Sequence, residues 1–407
     1  MFFGQTSYAQ VSTFEWLQHA LRNNRTTYQF SVTDANTDGI GNFYVLGRLE
    51  SSASFGGTLL EGSSLGSAFF VAKYDRAGTL KWEVAGRPGI PIYPSSVIAP
   101  NRLAVDTEGN FLVIGNDLEA SVGMGGKTFP FVIKYDRSGT RQWIYQEAVS
   151  SAAADDSGYF YFIRYSSSQA ILAKLDTVGA RTDVMVVSTN STTFNVRDIA
   201  LDRLGNIFIA GGFSATLDLS GTHLVSRGLT DVFVAKLNST GNLLWIQQGG
   251  GSGSDLAERM AIDGAGQVCI SGIFGDGFTN SSATFGDVTL SVHDTNNTFV
   301  VKYGANGNLL WARQISGMSA SPIVNISAND RGDVFLASSF ANRAELDSVT
   351  LTSRGGSDGL VAAYDAEGNL RWVQQLGGTL DDFVNGLASD PAAQFFFCKF
   401  VEQETEG

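Results

Sequence analysis

One sequence phrase recurs along most of the chain and usually ends in tryptophan. Four copies place a lysine nine residues before the tryptophan: Lys73/Trp82, Lys134/Trp143, Lys236/Trp245 and Lys302/Trp311. A fifth copy runs from Leu360 to Trp372, and a degenerate one (Ile171–Lys174) has Asp183 where the tryptophan would stand. Trp245 and Trp311 are 66 positions apart, and Trp311 and Trp372 are 61 apart. A period of this length predicts an array of similar supersecondary units.

Each unit is predicted to contain four short β-strands, which we label A to D. A second phrase, such as Ile199-Ala-Leu-Asp202 followed by Gly205-Asn-Ile-Phe-Ile, predicts strands A and B joined by a tight Asp–Gly turn. The tryptophan phrase predicts strands C and D. Both phrases are rich in Val, Ile and Phe and lack a 3.6-residue apolar period, so we expect an all-β fold. Four-stranded units repeated around a ring form a β-propeller.

Two features favour a closed ring over an open solenoid. The tryptophan falls in the last strand of its unit, where neighbouring blades diverge and a large ring can fill the space. The residue two positions before the A-strand Asp or Asn is small, as expected where innermost strands crowd around an axis: Ala104, Ala153, Ala200, Ala261, Ser327 and Ala388. The sequence therefore predicts a single propeller domain over residues 14–407.

The count of phrases predicts seven four-stranded blades, the last one shared between the two ends of the chain. Its strand D would be Phe14–Gln18, and its strands A and B would lie in Leu387–Phe400. Residues 1–13 leave two interpretations open. Phe3–Tyr8 could supply the missing strand C, or Ser7-Tyr8-Ala9 could be the remnant of an export signal, which we favour.

The order of these motifs resembles the SBBP family, a seven-bladed β-propeller repeat of bacteria. The matching stretches are Gly41-Asn-Phe-Tyr-Val-Leu-Gly47, Phe55-Gly56, Phe69–Tyr74 and Gly78 with Trp82. The resemblance covers nearly the whole chain, with a shortened third unit and a worn last copy. It implies an exported protein, secreted or at the cell surface, and it implies no activity because the family has no shared catalytic residues.

The composition argues against several classes of function. With 27 basic and 40 acidic residues the net charge is −13, which disfavours binding to nucleic acid. The chain has only Cys269 and Cys398, far apart, and no apolar run approaches the ~18 residues of a membrane span. The three histidines, His19, His223 and His293, share no spacing with a nucleophile or with paired carboxylates. We therefore expect a protein that is not an enzyme.

The connections between strands differ in length on the two faces of the predicted ring. The A–B and C–D turns are tight, whereas the D–A and B–C connections vary, as in 86–101, 249–259, 376–385, 212–229 and 275–297. Long variable loops on a rigid scaffold more often carry binding residues. We expect this face to bind a protein or glycan, and its candidate residues are Arg87, Tyr93, Asp255, Arg259, Asp381 and Asp382.

One segment has the oxygen-ligand spacing of a calcium loop. Asp34, Asn36, Asp38, the carbonyl of Ile40 and Asn42 stand at alternate positions, with Gly39 at the sixth. The segment resembles the calcium hairpins of some propeller receptors, and Ca²⁺ is the one cofactor that the sequence suggests. The competing interpretation, which we favour, is an ordinary Asp38 turn, since the bidentate Glu of calcium loops is missing.

A second function class is a metal-dependent hydrolase or lyase working in the central channel. It would need three or more ionisable side chains from A strands at the axis, and the A phrases show mainly Ala, Ile, Leu and Val. The phrase Ala235–Trp245 also resembles the tryptophan-docking motif of quinoprotein dehydrogenases and of an outer-membrane assembly scaffold. The ligand groups of the dehydrogenases are not found, so this resemblance implies shared architecture and a scaffold role.

Overall fold

A computed structural model describes residues 30–401 of the chain apart from eleven short gaps. These gaps are 51, 56–57, 62–66, 89–96, 119–127, 167–168, 189–193, 276–281, 292–296, 319–323 and 390–394. Tyr93 and the first 29 residues therefore lie outside the described part.

The described chain is built from antiparallel β-strands and contains no helix in that part. Six sheets, or blades, each run A–B–C–D from the centre outward. The first three are β1 (Phe30–Thr37), β2 (Phe43–Leu49), β5 (Ala68–Tyr74), β6 (Leu80–Gly86); β7 (Val97–Val105), β8 (Phe111–Leu118), β9 (Thr128–Tyr135), β10 (Arg141–Tyr145); and β11 (Val149–Ala154), β12 (Phe160–Ser166), β13 (Gln169–Leu175), β14 (Arg181–Ser188).

The next three blades repeat this order, and a two-stranded sheet follows them. They are β15 (Phe194–Leu201), β16 (Ile207–Phe213), β19 (Asp231–Leu237), β20 (Leu243–Gly251); β21 (Leu256–Ile262), β22 (Val268–Phe274), β25 (Asn297–Tyr303), β26 (Leu309–Met318); β27 (Asn325–Ala328), β28 (Val334–Leu346), β29 (Val349–Tyr364), β30 (Leu370–Leu376); and the pair β31 (Asp382–Ser389), β32 (Phe395–Val401).

The innermost strands close into a ring, which defines a β-propeller. Each contacts the next in the order β1, β7, β11, β15, β21, β27, β31, and β31 contacts β1. At that closure the hydroxyl of Thr37 donates to the carbonyl of Ser389 over 3.1 Å. The all-β and propeller predictions are confirmed. The outer strands predicted for the last blade fall outside the described residues, so seven four-stranded blades, the shared last blade and the origin of residues 1–13 stay predictions.

The A–B turns form because an aspartate side chain closes them. In the turn after β15, one carboxylate oxygen of Asp202 accepts the amides of Leu204 (3.0 Å) and Asn206 (2.9 Å), and the other accepts the Asn206 side chain (2.8 Å). Gly205 has φ +74°, a conformation that glycine adopts without strain. The sequence prediction for these turns is confirmed.

The tryptophans join neighbouring blades, as their position in strand D predicted. Trp245 Nε1 donates to the carbonyl of Ala305 over 2.9 Å, and Trp311 Nε1 donates to that of Ala366 over 3.0 Å, in each case in the next blade. In the third blade Asp183 replaces the tryptophan and lies at the surface, where it accepts from Arg164 Nη2 over 2.7 Å. The contact between the third and fourth blades therefore lacks the tryptophan that joins neighbouring blades elsewhere.

In four blades the lysine of strand C pairs with the turn aspartate of its own blade. Lys302 Nζ is 3.0 Å from Asp263 Oδ2, both side chains are almost fully buried, and the same ammonium donates to the carbonyl of Gly332 in the next blade over 2.8 Å. In the third blade the corresponding pair, Lys174 and Asp155, is 3.9 Å apart and partly exposed. The lysine thus connects strand C, its own A–B turn and, in the buried case, the following blade.

Several B–C connections predicted as long loops are β-hairpins that extend the sheet of the preceding blade. In 212–229 the hairpin of β17 (Thr216–Leu219) and β18 (Thr222–Val225) pairs with β14, and in 275–297 that of β23 (Ser282–Phe285) and β24 (Val288–Ser291) pairs with β20. The distal half of the β28–β29 hairpin pairs with β26 in the same way. A further hairpin is formed by β3 (Ser52–Phe55) and β4 (Thr58–Glu61). The prediction of variable loops was wrong here, because these segments cover sheet edges.

Candidate functional site in the central channel

The inner strands surround a channel along the propeller axis. One chamber of about 320 Å³ lies beside the middle of the A strands, and a wider chamber of about 660 Å³ opens at their beginning, on the face of the D–A connections. We call the wider chamber the D–A mouth. Arg102, Arg259 and Asn325 line both chambers and mark the level at which they meet.

The residues at this level occupy one repeat position, four before the A–B turn residue. A β-bulge precedes this position in β1, β7, β15 and β21, and the residue directly after the bulge is ionisable: Asp34, Arg102, Asp198 and Arg259. We call the whole set the axial ring; its other members are Ser151, Asn325 and Gly386. The bulge displaces the strand by one residue and so directs a new side chain toward the axis.

The two aspartates of the axial ring tie adjacent inner strands together. Asp34 accepts the amide of Leu103 over 2.8 Å, and Asp198 accepts the amide of Met260 over 2.8 Å and the hydroxyl of Ser151 over 2.7 Å. Burial raises the pKa of the Asp34 carboxyl above its usual value, an effect opposed by the positive charges of the two axial arginines. Both carboxylates therefore have structural partners.

Three arginines meet at the D–A mouth with one glutamate. Arg102 Nη2 is 3.5 Å from the carbonyl of Arg197, and Arg259 Nη1 donates to the carbonyl of Glu258 over 3.1 Å. The carboxylate of Glu258 lies 3.9 Å from Arg197 Nε. Burial, together with repulsion from Arg102, lowers the pKa of the Arg259 guanidinium to about 10. The mouth is thus a basic region in an acidic protein.

The expectation of an apolar channel was wrong. Four ionisable side chains, Asp34, Arg102, Asp198 and Arg259, line it, although the A phrases around them are apolar. The sequence signal that could have found them is the axial-ring position itself: aligning the units on the turn residue gives Asp, Arg, Ser, Asp, Arg, Asn and Gly, while the position two later is nearly always small.

Of the five described residues that were predicted to bind a ligand, only Arg259 lines the channel. Asp255 and Asp382 are buried and hold loop backbone: Asp255 accepts the amides of Gly251 (2.7 Å) and Gly275 (3.0 Å), and Asp382 accepts that of Gly378 (2.7 Å).

Two other predicted binding residues lie at the ends of D–A connections: Arg87 directly follows β6, and Asp381 directly precedes β31. Arg87 Nε donates to the carbonyl of Ser67 over 2.9 Å, and Asp381 accepts the amide of Ser357 over 2.6 Å. Both therefore brace backbone on the long-loop face. Tyr93 lies outside the described residues, so its role stays a prediction.

The segment with the spacing of a calcium loop forms the end of a strand and an ordinary turn, which is the interpretation favoured from the sequence. Asp34 and Asn36 lie in β1, paired with β2, and Asn36 Nδ2 donates across to the carbonyl of Leu103 over 3.1 Å. The Asp38 carboxylate instead closes the A–B turn, accepting the amide of Asn42 (2.8 Å) and the Asn42 side chain (2.6 Å), while Ile40 is exposed. The alternating oxygens point to different partners because strand geometry, not a wrapped loop, sets their directions.

Cys269 and His223 lie in surroundings that do not activate them for chemistry. Cys269 is buried in β22, and burial raises the pKa of its thiol to about 12, so the thiolate does not form at neutral pH. His223 Nδ1 lies 2.5 Å from Asp218 on an exposed hairpin. Within the described ranges no cluster of three or more His, Cys, Asp or Glu side chains could hold a metal ion, and no helix could span a membrane.

Comparison with known proteins gives one relative by sequence. The chain is 23% identical to an uncharacterized WD repeat-containing protein of Acanthamoeba polyphaga mimivirus, in a match that covers 79% of this chain and 25% of the relative. The chain thus spans about a quarter of the length of that curated relative. No family model matches the chain. The repeat β-propeller is supported, whereas the SBBP resemblance and a bacterial origin are not confirmed, and the relative is viral.

Several solved structures share a weak overall likeness. They include prolyl oligopeptidase B of Galerina marginata (11% identity, 87% of this chain and 43% of that one, TM-score 0.43) and a protein from Lactobacillus plantarum (14%, 83% and 93%, 0.38). The apocarotenoid oxygenase of Synechocystis is similar at 10% identity over 82% of this chain and 72% of that one, with a TM-score of 0.40. At such scores the propeller assignment rests on the sheets described above.

Proposed function

We propose that this protein is an exported, non-catalytic binding or scaffold module that takes a protein or glycan ligand at the D–A mouth. The observation that carries the proposal is the cavity of about 660 Å³ at that mouth. Every inner strand contributes a polar residue to it: Thr33, Asn101, Ser150, Asn195, Glu258, Asn325 and Asn385. Cavities with a few convergent polar groups on a rigid frame are the usual ligand sites of proteins.

Protein is the ligand class that the comparisons favour. The relative is a WD repeat-containing protein, which agrees with a protein-interaction role. Export rests on the SBBP resemblance alone. We also propose that the ring has seven four-stranded blades, the last completed by the N-terminal segment, because the inner strand β31 contacts both β27 and β1.

The proposal is tested by placing a large side chain in the mouth. Asn101 is an exposed mouth residue, and Asn101→Trp narrows the cavity. The matched control is Ile40→Trp, since Ile40 is 75% exposed in an A–B turn on the opposite face. Wild type and both variants are applied to a displayed random-peptide library and to a glycan array. We expect selective ligands that Asn101→Trp loses and Ile40→Trp keeps; ligands that Ile40→Trp loses and Asn101→Trp keeps would overturn the proposal.

A hydrolase or lyase acting in the channel is the second candidate, because the axial ring meets the requirement of three or more ionisable side chains. Its metal-dependent form has no cluster of ligands within the described ranges. A metal-independent form would use Asp34, whose pKa burial raises, as a proton acceptor or donor. Turnover of ester, glycoside or uronate substrates that Asp34→Asn abolishes, with ligand binding unchanged, would establish it in place of the binding module.

A further inference from the structure

The arginines at the D–A mouth have few partners within the protein. A guanidinium carries five N–H donors. Among the described residues Arg102 makes one bond, to the carbonyl of Arg197, and Arg259 makes one, to the carbonyl of Glu258. The Nε atoms of Arg102 and Arg197 are buried and have no hydrogen-bond partner in the described part of the chain. A buried donor without a partner costs free energy that a ligand acceptor can recover.

The positive charges of this site are also incompletely balanced. No carboxylate of the described residues lies within 4.0 Å of the Arg102 or Arg259 guanidinium, and Glu258 approaches only Arg197. The oxygens of Asp34 and Asp198 are occupied by backbone amides and by Ser151. The two axial arginines are close enough for Arg102 to disfavour the charged form of Arg259. Asp34, Asp198 and Glu258 act on Arg259 from a distance, so the guanidinium groups still lack an anion in contact, and one placed between them would stabilise both.

At the opposite end of the channel most charges are paired. The A–B turns line it with Arg203 and five aspartates: Asp38, Asp106, Asp202, Asp263 and Asp330. Three of these aspartates pair with the lysine of their own blade, and Asp330 pairs with Arg203. In a protein of net charge −13 the D–A mouth is therefore the basic end of the channel. An anionic group is therefore attracted to this mouth more strongly than to the A–B end, where most charges are already paired.

We propose that Arg102, Arg197 and Arg259 bind a carboxylate group presented by a protein ligand, either an acidic side chain or a chain terminus. The planar guanidinium fork matches a carboxylate in two parallel hydrogen bonds. A singly charged carboxylate suits the site better than a phosphate dianion, because Asp34, Asp198 and Glu258 lie in the same channel. This inference rests on the proposed function, whose binding surface it assigns a chemistry.

The test uses small probes and a pair of double variants. N-acetylglutamate methylamide stands for the peptide source of the carboxylate, glucuronate for a sugar source, and inorganic phosphate for the dianion, each titrated at constant ionic strength and followed by ligand-observed NMR. The altered site is Arg102→Gln/Arg259→Gln. The charge-matched control is Arg137→Gln/Arg343→Gln, two exposed arginines away from the channel.

We expect saturable binding of the glutamate probe that weakens at least ~10-fold in the mouth variant and is unchanged in the control, since each charged bidentate contact is strong. Phosphate should bind more weakly than the glutamate probe. The urea stability of the unliganded mouth variant is measured to show that it is folded, since the substitution removes repulsion between the arginines but also the positive charges that favour the ionised Asp34 carboxyl. A purely structural role for the arginines would lower stability while leaving the affinity of the folded variant for the glutamate probe unchanged.

Three results would overturn the inference: equal affinity in wild type and mouth variant, tighter binding of phosphate, or no saturation by any carboxylate. Preference for glucuronate would replace the protein ligand with an acidic glycan. These outcomes are distinct from failure of the proposed function, since ligands that Asn101→Trp loses could still be held without the arginines.

Discussion

Removing the buried ammonium of Lys302 tests how the blades are held together. Lys302→Met keeps the aliphatic stem but leaves the Asp263 carboxylate, which is 1% exposed, without its charged partner at 3.0 Å. It also removes the 2.8 Å bond to the carbonyl of Gly332 in the next blade. Breaking a buried ion pair by deleting one partner costs about 3–5 kcal/mol. We expect a loss of that size in the free energy of unfolding, measured by urea titration with tryptophan fluorescence.

The double variant Lys302→Met/Asp263→Asn should recover most of this loss. An asparagine at 263 keeps the oxygen that accepts the amides of Ala265 (2.9 Å) and Gln267 (3.0 Å), while the unpaired charge is gone. The sixth blade already has this combination, since Asn329 closes its A–B turn and Ala363 stands where the other units have lysine. We expect stability within about 1 kcal/mol of wild type, because replacing both members of a buried pair is often nearly neutral.

Lys174→Met in the third blade is the matched control. The same substitution at the same repeat position removes a lysine that is 30% exposed and 3.9 Å from Asp155, so the expected cost is about 1 kcal/mol or less. Equal losses in Lys302→Met and Lys174→Met, or a double variant as unstable as the single one, would refute the reasoning that burial makes this pair important.

Three further outcomes follow from single residues. Burial raises the pKa of the Asp255 carboxyl from 3.8 to about 6, so the native state binds more protons than the unfolded state between these pH values. As pH rises through that window, wild type should lose about 1.4 kcal/mol of stability per pH unit relative to Asp255→Asn. The urea midpoints of the two proteins measure this difference. Trp311→Ala should cost about 3–5 kcal/mol by chemical unfolding, since the ring is 4% exposed and its N–H bond joins two blades. Calcium should not change the melting temperature of wild type relative to chelator, because Asp34 lies in a strand and not in a calcium loop. The same absence of a calcium effect is expected for Asp34→Ala.

The parts of the fold that were predictable are those encoded by local chemistry. The Asp202 turn and the Trp245 contact depend on residues whose spacing is visible in the sequence. The B–C hairpins were also encoded, because Ser220 (φ +49°) and Gly221 (φ +84°) form a tight turn between two alternating strands, but the length of these connections was interpreted as a sign of long loops. That β17 pairs with β14 of the preceding blade could not be read from local sequence, because it depends on how blades stack.

The candidate site was mostly missed, for a different reason. A bulge shifts which side chains face the axis, and one extra residue at Thr33 or near Arg259 reverses the inward and outward faces that alternation would assign. Asp255 was selected because it is charged and lies in a variable D–A connection, but its carboxylate accepts two backbone amides. A charged loop side chain is available to a ligand only when nearby backbone amides do not already occupy it.

The axial ring differs from the rest of the repeat in a way that bears on function. At the positions that close turns or join blades, most units have the same residue, which is aspartate, lysine or tryptophan. Closure of the ring does not require a charged residue at the axial ring, since Gly386 has this position in β31 and carries no side chain. Yet two units place arginine there and two place aspartate, each at the cost of burying a charge. The aspartates are accounted for by their bonds to neighbouring inner strands. The arginines make only one hydrogen bond each among the described residues, so we propose that they mark the level at which this propeller binds its ligand.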